Sequence, residues 1–198
     1  LNAVMTGELC RDHAEYDAAE ALAVPRRHKH STSPVMAKGL EDTALYRPNR
    51  LLALADVGEK PDRFNADIAA FHDFNRARAA ATPHGLLAST THDTKRGEDT
   101  RARIVALTGD ADGWIAAVEA WRQLLREAGA PEIDANDAWA FFQLLLGAWP
   151  AGLGPEETLA AEALEAFRTR IDGAMRKAIR EARLHTNWNV SNGAYEEA

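Results

Sequence analysis

Leu86-Leu87-Ala88-Ser89-Thr90-Thr91-His92-Asp93-Thr94-Lys95-Arg96-Gly97-Glu98-Asp99 is the stretch on which the fold class turns. It follows the breaker Thr82-Pro83-His84-Gly85 and runs from two leucines into Ser and Thr, the pattern of a short buried strand over Leu86 to Thr91. A lone strand leaves its backbone donors and acceptors unpaired, so this reading requires neighbouring strands to supply the ladder. The second half packs one histidine, three carboxylates and two cations into the nine residues from Thr91 to Asp99. In a parallel α/β barrel, side chains at the carboxyl end of a strand point into the substrate cleft. There His92 and Asp93 could bind hydroxyls, while Lys95 and Arg96 fix carboxylate positions. The competing reading is a charged helix start, with Asp93 as the cap and Glu98 and Asp99 favoured by the helix dipole. Spacing alone leaves both open.

Outward from this stretch the chain reads as helix. Alanine fills 40 of 198 positions, and alanine loses no side-chain entropy in a helix. Pro61 suits a first helical turn, and Phe64, Ile68 and Phe71 recur at helical intervals up to the breaker. Trp114, Ile115, Val118, Trp121 and Leu125 make a second stripe that stops at Gly129-Ala130-Pro131. Asp134 is placed to cap a third helix, whose Trp139, Phe142, Leu146 and Trp149 share a face until Pro150. A fourth, from Pro155 to about Leu184, carries Leu159, Ala163, Phe167, Ile171, Met175 and Ile179 in steps of four. These helices are expected to pack against one another, with the tryptophans in the core in preference to serving as sugar-stacking platforms.

Composition sets the outer bounds. At 46% apolar and 27% charged the chain is globular, sized for one compact domain or two small ones. Its net charge of −7 argues against nucleic acid, whose backbone is bound by displacing counterions with Lys and Arg. The one basic run, Arg26-Arg27-His28-Lys29-His30, reads as a solvated loop in preference to a phosphate or metal site. Cys10 is the sole cysteine, which excludes an intrachain disulfide and a Cys-based zinc site. No apolar stretch approaches about 18 residues and the first residues lack a signal pattern, so a cytoplasmic protein without membrane partners is expected. The sequence has no internal repeat, no P-loop and no His-Glu-x-x-His motif.

A second dense patch runs from Pro34 to Arg47, with Lys38, Glu41, Asp42, Tyr46 and Arg47 at near-helical spacing around Gly39. Such a mixture can bind a polyhydroxylated ligand, or it can be an ordinary salt-bridged helix start.

At these two patches the chain resembles a known family. The strings MAKGLEDTALYRPNRLL (Met36 to Leu52) and LLASTTHDTKRGEDTRARI (Leu86 to Ile104) are similar to the maltooligosyl trehalose synthases of the alpha-amylase superfamily, glycoside hydrolase family 13. So are FFQLLLGAWP (Phe141 to Pro150) and REARLHTNWNVSNGAYEEA (Arg180 to Ala198). The resemblance covers about Ser33 to Ala198 and leaves the first 33 residues outside the family's pattern.

The resemblance implies a retaining (β/α)8-barrel isomerase that turns the reducing-end α-1,4 bond of a maltooligosaccharide into an α,α-1,1 bond by intramolecular transglycosylation. The superfamily uses a nucleophilic Asp, a Glu acid/base and a further Asp that follows a His at the end of a late barrel strand. That pair matches His92 and Asp93, with Asp93 gripping ring hydroxyls as the oxocarbenium-like transition state forms. Lys38, Glu41, Asp42, Tyr46, Arg47, Lys95 and Arg96 become candidate substrate or scaffold residues around the reducing-end subsites. The other two carboxylates have no counterpart here. Arg170-Ile171-Asp172 imitates part of the nucleophile motif, but it follows the His-Asp pair and lies within a helix, so Asp172 is expected to be solvated.

A retaining mechanism needs two carboxyl groups roughly 5 Å apart, so the chain alone is expected to be inactive, with the missing barrel half of the same enzyme as its partner. The implied fold class is mainly α, with one or few short strands, derived from an incomplete barrel plus a helical insertion. Its parts are a poorly matched segment over residues 1–33, a barrel-derived segment over 34–108, a helical domain over 109–184 and a return towards the barrel over 185–198. His185 in that return is read as structural. No metal or organic cofactor is implied. Two rival readings are another alpha-amylase-type hydrolase or transferase and a non-catalytic helical interaction module.

Overall fold

The computed structural model describes residues 18–60, 63–154 and 157–198, with side chains from residue 23 onward. Cys10, Pro61 and Pro155 lie outside the described residues. The chain divides into two compact units, Leu1–Ala44 and Leu45–Ala198.

In the first unit, α1 (Ala18–Met36) runs into a π-helical turn, Ala37–Glu41. The basic run Arg26 to His30 is therefore helical, not a loop, although its side chains are exposed as expected of a solvated run. The turn is closed by the Asp42 amide donating to the Ala37 carbonyl at 2.8 Å.

In the second unit, two short 3-10 turns, Ala44–Tyr46 and Leu52–Leu54, bracket an irregular run that precedes α2 (Ile68–Ala81). Then come α3 (Glu98–Ala106), a 3-10 turn Leu107–Asp110, α4 (Ala111–Glu127), α5 (Ala135–Gly147), α6 (Ala161–Ala182) and the single turn α7 (Gly193–Glu196).

The helix starts and stops follow local chemistry. Asp134 caps α5 by accepting from the Asn136 and Asp137 amides at 2.9 and 3.3 Å. The end of α4 closes as a Schellman motif: Gly129, at φ 74°, donates to Arg126, and Ala130 donates to Leu125. The end of α6 uses Arg183 in the left-handed region, at φ 55°.

The core lies around α5. On one side Ile104 of α3 meets Ala140 and Leu52, all buried. On the other, Trp114 and Val118 of α4 meet Phe142, with Trp139, Phe141 and Leu146 against them. Helices α3 and α5 cross so closely at Gly147 that a Cβ there would stand 2.7 Å from Thr100 Cγ2 and 3.2 Å from Ile104 Cδ1. The α6 stripe buries Phe167, Ile171 and Ile179 as its spacing requires. The tryptophans are core only in part: Trp114 is buried and stacks edge-on to Trp121 and Trp139, while Trp149 is exposed.

Two sequence expectations fail between residues 64 and 91. The helix starting from Pro61 begins instead at Ile68, and Phe64, Ile68, Phe71 and Phe74 are all exposed, so this stripe is not buried as a core face. The strand over Leu86 to Thr91 does not form: no strand occurs among the described residues, and Leu86 and Leu87 are 100% and 73% exposed. The physical reason is the one the lone strand raised at the outset. A strand is made by its neighbours, and no described residue offers it a ladder.

Candidate functional site

The first unit holds three of the candidate residues. Lys38 pairs with Asp42 at 2.5 Å across one turn, both side chains reaching solvent, and Thr43 Oγ1 donates to the Lys38 carbonyl at 2.8 Å. Glu41, half-buried, ends the same π turn.

The second unit holds the rest, most of them around a turn. Thr94 closes it, its amide donating to the Thr91 carbonyl at 3.1 Å while its hydroxyl accepts from the Thr91 amide at 2.7 Å. Between these two threonines His92 Nε2 stands 3.2 Å from Asp93 Oδ2, and the two side chains are 92% and 63% exposed. Helix α3 starts only at Glu98, behind Gly97, so Asp93 is not its cap. Glu98 and Asp99 do occupy the first turn, where the dipole favours acids. The exposed carboxylate at 93 is thus not used to hold the helix.

Lys95 and Arg96 bind this turn to the 46–57 segment. Lys95 Nζ lies over the Tyr46 ring, 4.7 Å from its centroid. Arg96 Nη1 donates to the Leu52 and Ala55 carbonyls at 3.2 Å each, and burial pushes its guanidinium below the ordinary arginine value. Tyr46, Asn49, Lys95, Arg96 and Lys177, together with apolar residues such as Leu52, Leu144 and Met175, line a small cavity of about 100 Å³. Arg47 is directed elsewhere: its Nε donates to the Ala182 carbonyl at 2.9 Å, tying the segment to the end of α6.

Residues the sequence did not single out do much of the positioning. Gln143, almost fully buried on α5, accepts from the Leu52 amide at 2.9 Å and donates to the Asn49 carbonyl at 2.8 Å. Asp56 accepts from the Lys95 amide at 3.1 Å. All three bonds join positions far apart in sequence, so no local pattern could reveal them.

Asp172, the decoy of the nucleophile motif, is exposed on α6 and held by Arg176 at 2.9 Å. His185 stacks on Tyr195 with ring centroids 4.7 Å apart. Asp134, Asp137 and His185 bring potential ligand atoms within 4.8 Å of one another. Asp134 is engaged as a helix cap, and Asp137 accepts the Tyr195 hydroxyl at 2.6 Å. Burial first, then that hydrogen bond and the Asp137 charge, raise the Tyr195 phenol above its ordinary value. Glu196 is held by both Arg180 and Thr186, which lower its carboxyl from 4.5 to about 2. A larger, mostly apolar cavity of about 620 Å³ between α4, α5 and α6 is lined by none of the candidate residues.

No family model matches the chain. A Mycobacterium tuberculosis protein named as a maltooligosyl trehalose synthase is 38% identical over 165 residues, covering 82% of this chain and 20% of its own length. A solved maltooligosyltrehalose synthase from Arthrobacter ramosus is 38% identical, with TM-score 0.67, over 91% of this chain and 21% of that one. A solved hypothetical maltooligosyl trehalose synthase from Sulfolobus tokodaii is 31% identical, with TM-score 0.71, over 96% and 25%. The chain is a homologue of part of a larger enzyme. Those enzymes are the maltooligosyl trehalose synthases, and the chain spans about a fifth of the length of the curated relatives it matches.

Proposed function

We propose that the chain is part of a maltooligosyl trehalose synthase in the alpha-amylase superfamily, acting in the cytoplasm on maltooligosaccharides. The reducing-end α-1,4 bond breaks, the released glucose stays bound and turns, and its anomeric hydroxyl attacks to form the α,α-1,1 bond. Asp93, with His92 beside it, stabilises the transition state by accepting from ring hydroxyls, bonds that strengthen as positive charge develops on the sugar. Lys38, Glu41, Asp42, Tyr46, Arg47, Lys95 and Arg96 are the candidates for substrate contact. Arg47 and Arg96 also brace the backbone through their carbonyl bonds.

The nucleophile and the acid/base come from the rest of the enzyme, a barrel half that residues 34–108 would complete, so the 198-residue chain alone turns over no substrate. The carboxylate-based transfer calls for no metal or organic cofactor. The observation that carries this reading is the 38% identity over 165 residues to a protein named for this activity. The exposed carboxylate of Asp93, beside His92 and not used as a helix cap, supports it.

The test uses the full-length parent enzyme with maltopentaose, which is expected to yield maltotriosyl trehalose. Asp93→Asn is expected to lower turnover about a hundredfold, roughly 3 kcal/mol of transition-state stabilisation. Near-normal turnover in a folded variant removes Asp93 from the site. Glucose and maltotetraose as the main products would favour a hydrolase instead.

A further inference from the structure

Asp56 is 3% exposed, carries a carboxylate and has no part in the proposed chemistry. Its Oδ1 accepts from the neighbouring Val57 amide at 2.7 Å and from the Lys95 amide at 3.1 Å. Its Oδ2 is buried with no hydrogen-bond partner among the described residues, as is Nε of Arg96. A buried carboxylate with an unsatisfied oxygen is costly, and the two amides that bond to it would donate as well to a neutral oxygen.

The consequence falls on the turn. Lys95 is fixed through its amide to Asp56, and Arg96 is fixed through Nη1 to the Leu52 and Ala55 carbonyls. Upstream, Arg101 of α3 donates to the Ser89 carbonyl. The Thr91–Thr94 bonds close the turn between these attachments. Asp93 itself makes no bond to the scaffold among the described contacts; what orients it is the backbone on either side.

We propose that Asp56 is a positioning residue for Asp93, setting the carboxylate's place by clamping the Lys95 amide. This rests on the reading of the chain as part of the isomerase. A displacement of about 1 Å at a group that meets the transition state lowers turnover by up to about a hundredfold without an equal loss of binding.

The experiment compares Asp56→Ala, Asp56→Asn and Asp56→Glu in the full-length parent enzyme. It reads kcat and KM on maltopentaose, and hydrogen exchange by mass spectrometry on peptides spanning residues 91–97 and 100–106. Asp56→Ala is expected to lower kcat about thirtyfold or more with KM within about threefold. Exchange should quicken over 91–97 and stay unchanged over 100–106. Asp56→Asn, which keeps an acceptor oxygen for Lys95, is expected to recover most of kcat. If the alanine variant fails to fold, Asp56→Glu decides: a roughly tenfold lower kcat at unchanged melting temperature supports the clamp.

Unchanged kcat in a folded alanine or glutamate variant overturns the proposal. So does exchange that quickens equally over both peptides, the mark of general loosening. An unmutated parent that forms no trehalosyl product defeats the isomerase reading instead, and the exchange arm still decides whether Asp56 holds the turn.

Discussion

The α3–α6 bundle and the segment from Phe64 to Thr91 have similar apolar content and opposite fates. In the bundle, Ile104, Trp114, Val118 and Phe142 are buried against one another, and a polar side chain, Gln143, is buried only because the Leu52 amide and the Asn49 carbonyl satisfy it. In the segment, Phe64, Ile68, Phe71, Phe74, Leu86 and Leu87 are all exposed. The contrast separates a part packed through its own contacts from a part whose large apolar side chains are left exposed.

The largest expected effect that would sharpen the contrast is in the bundle. Phe142→Ala should cost about 3–5 kcal/mol, read from the urea midpoint of the chain, since it opens a cavity among Trp121, Phe141 and Trp114. An intermediate effect belongs to Glu196. Its folded carboxyl lies at about 2 against 4.5 unperturbed, so its contribution is full above about pH 4.5 and disappears as pH falls towards 2. Glu196→Gln should therefore lower the melting temperature at pH 7, and the gap from the unmutated chain should close across that acid window. A gap independent of pH would remove the charge from the account. The smallest effect lies in the segment: Phe74→Ser should change the stability of the isolated chain by less than about 0.5 kcal/mol. A loss of several kcal/mol would break the comparison by showing that the segment has a core of its own.

What was legible in the sequence divides along the same line. Helices α4, α5 and α6 could be placed because apolar period, the Asp134 cap and the Gly129 stop are written within a few residues of one another. Leu86 to Thr91 could not be settled because strand formation depends on pairing with distant chain. Within the site, His92 and Asp93 were visible as a dense cluster and by resemblance. The supports at Asp56, Gln143 and Arg47 join residues 39 to 135 positions apart, where spacing carries no signal. The basic run at Arg26 to His30 misled for a simpler reason: charge marks exposure, and helices expose charge as readily as loops do.

The crossing at Gly147 gives the bundle a mechanical link to the turn. Where α5 meets α3 the bare backbone of Gly147 lies against the side chains of Thr100 and Ile104, and Thr100 Oγ1 donates to the Gly147 carbonyl at 3.1 Å. Helix α3 begins two residues after Arg96, so a methyl group added at position 147 would act as a wedge, prising the helix outward and dragging the end of the turn with it. A substitution far along the chain from His92 and Asp93 would thereby reach the turn that carries them.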